Sequence, residues 1–396
     1  MLFVEKTNKL VYNNKYERRD NMSRVIYLDY SATTPVNEEV LNDFIEDNKI
    51  IGNANSIHLL GRKCKDEINK ASNDILKLLG LSEDEYEVIY TSGSTEANNL
   101  AIKGLLAKKS NGHIITTSLE HSSVVAPLST IQRKGFSVEF AKNNENGLID
   151  LLELEKSITD ETVLVSIAAV SSEIGILQPI EEINQLINRK KRDNPNLIFH
   201  IDATQAIGKT KLKLDGIDMI SFSGHKIYGL KGIGALIKKK EVSIYGEIQG
   251  GKSTTKYRSG TPCHPLIMSL RNSLKIALTN LDCKINYVNQ INQYLKNEIS
   301  KVSKDIVINS NDYCIPHILN MSVIGYNSID LVIELEKYNI YISNHSACSS
   351  EKNISLAVYA LTNDEERAKS SIRISLSHLT TIAEIDELIK KIKELV

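Results

Sequence analysis

Three short stretches of the chain carry residue types that could do covalent chemistry on a small anionic ligand. The first is Ser221-Phe222-Ser223-Gly224-His225-Lys226, which ends an apolar run and precedes Gly229, Gly232 and Gly234. A lysine amine just past a buried strand can condense with an aldehyde cofactor. The second, His200-Ile201-Asp202-Ala203-Thr204-Gln205, offers Asp202 as the carboxylate that would keep a pyridinium nitrogen protonated. The third, Thr91-Ser92-Gly93-Ser94-Thr95-Glu96, reads as a strand-to-helix turn, where backbone amides, hydroxyls and the helix dipole suit a phosphate. Each has an ordinary structural alternative: a solvated lysine, an aspartate helix cap, and an N-cap with Glu96 beside it. Ligands of parallel α/β sheets gather at strand carboxyl ends, where both Asp202 and Lys226 fall.

A thiol is the fourth candidate. The five cysteines (Cys64, Cys263, Cys283, Cys314 and Cys348) are odd in number and lack CxxC spacing. Neither a disulfide framework nor a metal site is expected, and a reducing cytoplasm fits. Most of the other four read as small buried hydrophobes, with Cys263, next to Pro262 and close to Thr261, a minor candidate for a second thiol. Cys348 lies in Ser346-Ala347-Cys348-Ser349-Ser350-Glu351-Lys352-Asn353, which is too polar for a core. An exposed thiol is what a sulfur acceptor needs, because the thiolate must reach both donor and recipient. One formal motif is rejected. Gly246 to Ser253, with Lys252, fits GxxxxGK[ST], but the residues from Thr254 to Pro262 are poor helix formers, and a phosphate loop must open a helix.

These side chains need elements to hold them. Short β-branched runs recur at Val88–Thr91, Ile114–Thr117, Val138–Ala141, Val163–Ala169, Leu197–Ile201, Met219–Phe222 and Gly234–Ile237. Several are separated by helical stretches, at Ala97–Lys108, Ser123–Arg133 and Ile180–Lys190, which predicts a mainly parallel sheet covered on both faces. Thr34-Pro35 reads as a helix cap with proline at the first helical position. A second helix carries Cys64, Ile68, Ala71, Ile75 and Leu78 inward and stops at Gly80. Beyond about residue 264 long helices dominate, ending in the amphipathic segment Thr381–Val396, so a second, smaller α+β domain is expected.

Size and charge bound the rest. A chain of 396 residues allows two or three domains. Lys plus Arg number 48 against 49 for Asp plus Glu, which gives no electrostatic pull toward nucleic acid or an anionic membrane. The longest nearly apolar run, Val163–Val170, falls far short of the ~20 residues that span a bilayer. Residues 1–21 are polar and aperiodic, and read as a disordered tail or start-site artefact with Met22 as the start.

The order of these pieces resembles the class V aminotransferase family, and within it the cysteine desulfurases of the NifS- and IscS-like group. The likeness begins at Tyr27-Leu28-Asp29-Tyr30-Ser31-Ala32-Thr33-Thr34-Pro35 and continues through Thr91 to Asn99, Glu120-His121 and Glu173-Ile174-Gly175. It runs on through the aspartate and lysine stretches, Arg258-Ser259-Gly260-Thr261, Ser346 to Ser350 and Ser371-Ile372-Arg373-Ile374-Ser375, covering about residues 24 to 390. The resemblance implies an α/β, aspartate-aminotransferase-like fold (type I of the pyridoxal 5'-phosphate transferases) in a homodimer. Residues 37–262 would form the large domain with its mainly parallel sheet, and 22–36 with 263–396 the small α+β domain.

Carried over position by position, the resemblance implies that Lys226 holds pyridoxal 5'-phosphate and that Asp202 pairs with its ring nitrogen. Gln205 would bond the phenolic oxygen, and His121 would stack on the ring and assist proton transfers. Ser94, Thr95, Ser223 and His225 would hold the phosphate together with the partner subunit's Thr261. Arg373 would fork onto the substrate carboxylate. Cys348 would take the sulfur of L-cysteine as a persulfide, releasing L-alanine. An unidentified acceptor protein would then receive it, for iron–sulfur cluster assembly or for tRNA or cofactor thiolation.

Several positions depart from the family pattern. Ser172 stands where an asparagine usually helps hold the phenolic oxygen, and serine is shorter. Leu230, Ala54, Ser377 and Ile354 replace usual prolines or a glycine, and the segment after Gly250 is altered. These changes mark a divergent member. Two other activities stay open at this point: a selenocysteine lyase, and a non-catalytic sulfur-relay or scaffold protein of the same fold.

Overall fold

Strands buried on both faces read as continuous apolar runs, and such runs make up the interior of a seven-stranded sheet whose edge strand, Ser137–Phe140, is largely exposed. The structure, a computed structural model, describes residues 25–251, 253–344 and 354–396. Expectations that fall on residues 1–24, on Lys252 or on 345–353, Cys348 among them, lie outside the described residues.

The described chain opens with β1 (Ile26–Tyr27), α1 (Glu38–Asp47) and α2 (Leu59–Leu78). It alternates through β2 (Tyr86–Thr91), α3 (Ser94–Leu106), β3 (His113–Thr116), α4 (Ser122–Gln132), β4 (Ser137–Phe140) and α5 (Leu151–Ser157). Then come β5 (Thr162–Ala168), α6 (Ile180–Lys190) and β6 (Ile198–Asp202). β7 (Met219–Ser223) runs into a single 3-10 turn, Gly224–Lys226, before β8 (Gly234–Lys239). The last third holds α7 (His264–Leu278), α8 (Leu281–Ile299), β9 (Ile306–Ile308), β10 (Ile318–Val323) and α9 (Ser328–Glu336). It ends with β11 (Ile340–Tyr341), α10 (Leu356–Thr362), α11 (Glu365–Lys369), β12 (Ser371–Ser375) and α12 (Ile382–Leu395).

The large sheet has the order β2-β8-β7-β6-β5-β3-β4. Its strands run parallel from β4 through β7, while β8 is antiparallel to both neighbours. One face packs Ile201, Phe222 and Ile237 against residues of α2, α6 and α7. The other packs Ile114, Leu164 and Leu236 against α3 and α4. β10 lies between β9 and β12 in a three-stranded antiparallel sheet. Its core includes Leu319, Ile374 and Leu388 together with Ile26 and Leu28 from the start of the described chain.

Local chemistry explains where several elements begin and end. α6 buries Ile180, Ile183, Leu186 and Ile187, with Glu181 and Glu182 in its first turn and Arg189 and Lys190 in its last, matching its dipole. α12 starts from a capping box between Thr381 and Glu384. Two residues past α2, Gly80 has a φ of 71°, the left-handed conformation that glycine tolerates. Residues 253–263 form no helix, so the phosphate-loop pattern has none to open.

Two expectations are corrected. Thr34-Pro35 does not start a helix; α1 begins at Glu38, capped by Asn37, whose Oδ1 accepts from Glu39 N at 2.9 Å. The Thr34 hydroxyl is used elsewhere, donating to His225 O at 3.0 Å and accepting from Tyr228 N at 2.8 Å. Nor are the other cysteines mostly buried: Cys64 is, Cys314 is half-buried, and Cys263 and Cys283 are exposed. Cys263 sits at the start of α7, and Cys283 lies off the inward stripe Val288, Ile291, Leu295 and Ile299 of α8.

Candidate active site

A cavity of about 220 Å³ opens at the carboxyl ends of β5, β6 and β7, against the N-termini of α3 and α4. Lys226 and His225 line it from the turn after β7, and Asp202, Thr204 and Gln205 from the end of β6. Ser94, Thr95, His121 and Ser172 complete its polar wall. Eight of the twelve residues singled out from the sequence are therefore brought to one cavity.

Lys226 Nζ donates to two carbonyl oxygens of the N-terminal segment, Ser31 O at 2.5 Å and Ala32 O at 2.7 Å. The turn that carries it is clamped from both sides. Thr34 holds the His225 carbonyl, and two residues after Lys226 the backbone of Tyr228 takes a φ of 64°. A left-handed tyrosine is strained by about 1–2 kcal/mol and is held by its surroundings. Its hydroxyl meets Ser377 Oγ at 2.7 Å, and its ring makes an edge contact with His378 at 4.8 Å.

Asp202 is buried and fixed at both oxygens. Oδ1 accepts from Thr204 N at 3.0 Å, and Oδ2 from Asn98 Nδ2 at 2.8 Å. The same Asn98 nitrogen donates to Ser123 Oγ at 2.9 Å, which in turn meets His121 Nδ1 at 2.8 Å. His121 Nδ1 also accepts Ser123 N at 3.1 Å, capping α4. This pattern assigns the proton of the neutral ring to Nε2, and burial lowers the His121 pKa, favouring that neutral form. Behind Asp202, His200 lies between Ser166 and Ser221, and burial pushes its pKa down to about 4.

The N-terminus of α3 is arranged for an anion. Its cap residue, Gly93, makes no side-chain cap bond. Glu96 is engaged elsewhere, accepting Ser92 N at 2.7 Å and Arg258 Nε at 2.9 Å. The close approach of β8 requires glycine: a Cβ on Gly234 would lie 2.7 Å from Gly93 Cα and 2.7 Å from Phe222 O. Ser223 lies just outside the cavity lining, with Oγ 3.6 Å from where a Cβ on Gly93 would sit. His225 Nδ1 faces Thr33 Oγ1 at 3.2 Å, and burial, with help from Lys226, lowers its pKa to about 4.

Arg373 reaches the site from β12 and is almost fully buried. NH1 donates to Ser172 O at 2.9 Å and NH2 to Asp29 Oδ1 at 2.8 Å, leaving Nε without a partner among the described residues. Thr261 is not brought to this cavity; it lines another, of about 120 Å³, with Thr91, Ser92, Arg258 and Cys263. Cys348 lies outside the described residues. Among the described residues no group of three His, Cys, Asp or Glu could hold a metal ion, and no helix is long and apolar enough to cross a membrane.

Other residues of the site have no signal in the sequence that marks their role. Asn98, Asp29 and Ser31 lay within quoted stretches, but nothing in their spacing marks them as partners of Asp202, Arg373 and Lys226. Thr204 lines the cavity with a buried Oγ1 that has no partner among the described residues. Glu120 anchors the end of β5 by accepting Ala168 N at 2.8 Å, and burial pushes its carboxyl up to about 8.

The family model described as aminotransferase class-V matches residues 26–388. A curated cysteine desulfurase IscS of Buchnera aphidicola (subsp. Baizongia pistaciae, strain Bp) is 38% identical over 382 residues, covering 93% of this chain and 92% of the relative. A mitochondrial cysteine desulfurase of Eremothecium gossypii is 36% identical over 398 residues, covering 98% of this chain and 79% of its own. Among solved structures, one described as a NifS-like protein superposes with a TM-score of 0.86 at 31% identity, covering 94% of this chain and 99% of the other.

Proposed function

The chain belongs to the aminotransferase class-V family, and from that premise we propose that it is a pyridoxal 5'-phosphate-dependent cysteine desulfurase. It converts L-cysteine to L-alanine and passes the sulfur to an acceptor protein. The observation that carries the reading is the convergence of a lysine amine, a fixed carboxylate and an uncapped helix N-terminus on one cavity.

The donor set suits that cofactor. Ser94, Thr95 and His225, the α3 amides and the nearby Ser223 are a phosphate cradle, which the partner subunit's Thr261 would complete. Asp202, held by Asn98 and Thr204, is the acceptor for a protonated ring nitrogen. Gln205 offers its amide to a phenolic oxygen, and Thr204 Oγ1 is a buried hydroxyl with no partner among the described residues. Ser172, in place of the usual asparagine, engages Arg373 through its carbonyl. Residues 37–262 would form the cofactor-binding domain, with 22–36 and 263–396 as the smaller one.

When bound, the cofactor supplies an electron sink that lets the substrate Cα proton leave. The chain's own groups do the rest. The Lys226 amine would be the base for that proton. Arg373 orients the carboxylate through donors left over from Ser172 and Asp29. His121, with its proton on Nε2, lies on the cavity wall for further transfers. The Cys348 thiolate would attack the substrate sulfur; the S–S bond forms as the C–S bond breaks, the C–S electron pair stays on the carbon side, and protons returned to Cβ and Cα give alanine, with the persulfide left on the enzyme. The scattered, odd-numbered cysteines fit a reducing compartment, which we take to be the cytoplasm; the Eremothecium gossypii relative is named as mitochondrial.

Mass spectrometry of the cysteine-treated protein tests the reading: one added sulfur is expected on the Cys348 peptide and none in Cys348→Ser. Lys226→Ala should lose the visible band of the purified protein. Cofactor binding without turnover of cysteine would leave a scaffold role, and turnover of selenocysteine alone a lyase.

A further inference from the structure

Behind Gln205 lies a lysine that the reaction does not use. Lys209 is 6% exposed, at the end of the turn that follows β6. Its Nζ donates to Gln205 Oε1, while Gln205 Nε2 donates to Ser31 O at 2.9 Å. That carbonyl is the one to which Lys226 Nζ also donates. A carbonyl can only accept, so the nitrogen edge of the Gln205 amide must face Ser31 and its oxygen must face Lys209. The two ends fix the carboxamide in one sense.

We propose that Lys209 is a positioning residue that holds Gln205 with its N–H edge toward the cavity, so that the amide can act only as a donor to the cofactor's phenolic oxygen. The inference rests on the cofactor reading above. A phenolate needs a donor, and a flipped amide would offer it a repelling oxygen. Without Lys209, Gln205 Oε1 becomes a buried acceptor that has lost its donor, and the Ser31 contact alone is left to orient the amide.

Burial, helped by the nearby Lys226 and Arg373, holds the Lys209 amine well below its usual pKa. The amine donates to Gln205 Oε1 whether or not it carries the extra proton. The groups that face Lys209 are Lys226 and His225 on the turn after β7, Arg373 on β12 and His317 before β10, of which Lys226 and Arg373 are the cations.

The experiment is a pH titration of the visible band of holoenzyme reconstituted with pyridoxal 5'-phosphate. Losing a donor makes the phenolic oxygen more basic, so the proton it shares with the lysine nitrogen is held more tightly. Lys209→Met should raise the titration midpoint by about one pH unit, a tenfold change in proton affinity. Placed in a Gln205→Ala background, the same substitution should add nothing. A midpoint for Lys209→Met that matches the parent, or a full shift that persists without Gln205, overturns the inference. If Lys209→Met does not fold, Lys209→Gln, which can still donate, must titrate close to the parent; displacement by a full unit overturns it equally. A parent protein with no visible band overturns the cofactor reading and this inference together, whereas a parent band with an unmoved variant overturns this inference alone.

Discussion

Asp29→Asn should weaken the fold while leaving substrate affinity intact or improved. The Arg373 side chain is 5% exposed and that of Asp29 20%, with NH2 and Oδ1 2.8 Å apart. At an effective dielectric of about 20, the gross attraction at that distance is about 6 kcal/mol. Desolvation takes back most of it, and removing one partner of a buried pair typically costs about 3–5 kcal/mol. Asparagine keeps an oxygen for the guanidinium, and Asp29 retains some contact with water. Together these put the expected loss at about 2–3 kcal/mol. Urea midpoints of parent and variant holoenzyme at one pH measure it. The KM for L-cysteine should stay level or fall, because the guanidinium loses the carboxylate that competes with substrate. Arg373→Lys, which keeps the charge but loses the fork, should raise KM about tenfold or more. A stability loss below about 0.5 kcal/mol, or a tenfold rise in KM for Asp29→Asn, would refute the reasoning.

Glu120, whose carboxyl is pushed up to about 8 from an ordinary 4.5, retains a proton that the unfolded chain loses between those values. Its contribution therefore makes stability fall as pH rises through that window, by about 1.4 kcal/mol per pH unit. Glu120→Gln should flatten that slope in urea midpoints, and an unchanged slope would count against the assignment. His200 and His317 behave oppositely: burial lowers them from 6.5 to about 4 and about 3, so their contribution is lost as pH falls through those windows. His317→Gln should remove about half of the acid-side loss they share, checked by the same midpoints between about pH 6.5 and 4. Thr34→Val removes the hydroxyl that holds His225 O and Tyr228 N, costing about 1–2 kcal/mol. Amide exchange at Tyr228 should quicken, and unchanged protection there would show that the turn does not depend on Thr34.

Elements whose own apolar pattern decides their burial were legible before any coordinates. The helix expected at Ile180–Lys190 has those ends, and the seven strand runs all fall in the large sheet with boundaries displaced by a residue or two. The antiparallel direction of β8 was not legible, because a buried run of alanine, leucine and isoleucine reads the same either way. Thr34-Pro35 failed for a different reason: a cap signal is local, and the hydroxyl was claimed by a turn far away in sequence. Within the site, residues that present a distinctive functional group after a strand, Asp202 and Lys226, were found. Asn98 and Lys209 give no such signal, because their partners Asp202 and Gln205 are joined to them only through the fold.

The stretch from Asp29 to Thr34 shows how much of a site can rest on groups that composition never reveals. Asp29 pairs with Arg373, Ser31 O accepts from Lys226 and Gln205, Ala32 O from Lys226, Thr33 Oγ1 faces His225, and Thr34 braces the turn. Three of these contacts are to backbone carbonyls, which any residue could supply. What the sequence must specify is instead the path, and that path is set by pairing: Ile26 and Tyr27 pair with β11, and Asp29 bridges to Ser375 beside Arg373. One short segment therefore ties the core containing Arg373 to the sheet that carries Lys226. A substitution that shifts this path by one residue would displace the carboxylate-binding and amine-bearing arms together. Damage there should appear as coupled losses in substrate affinity and cofactor retention, whereas truncating either arm alone should affect chiefly one of them.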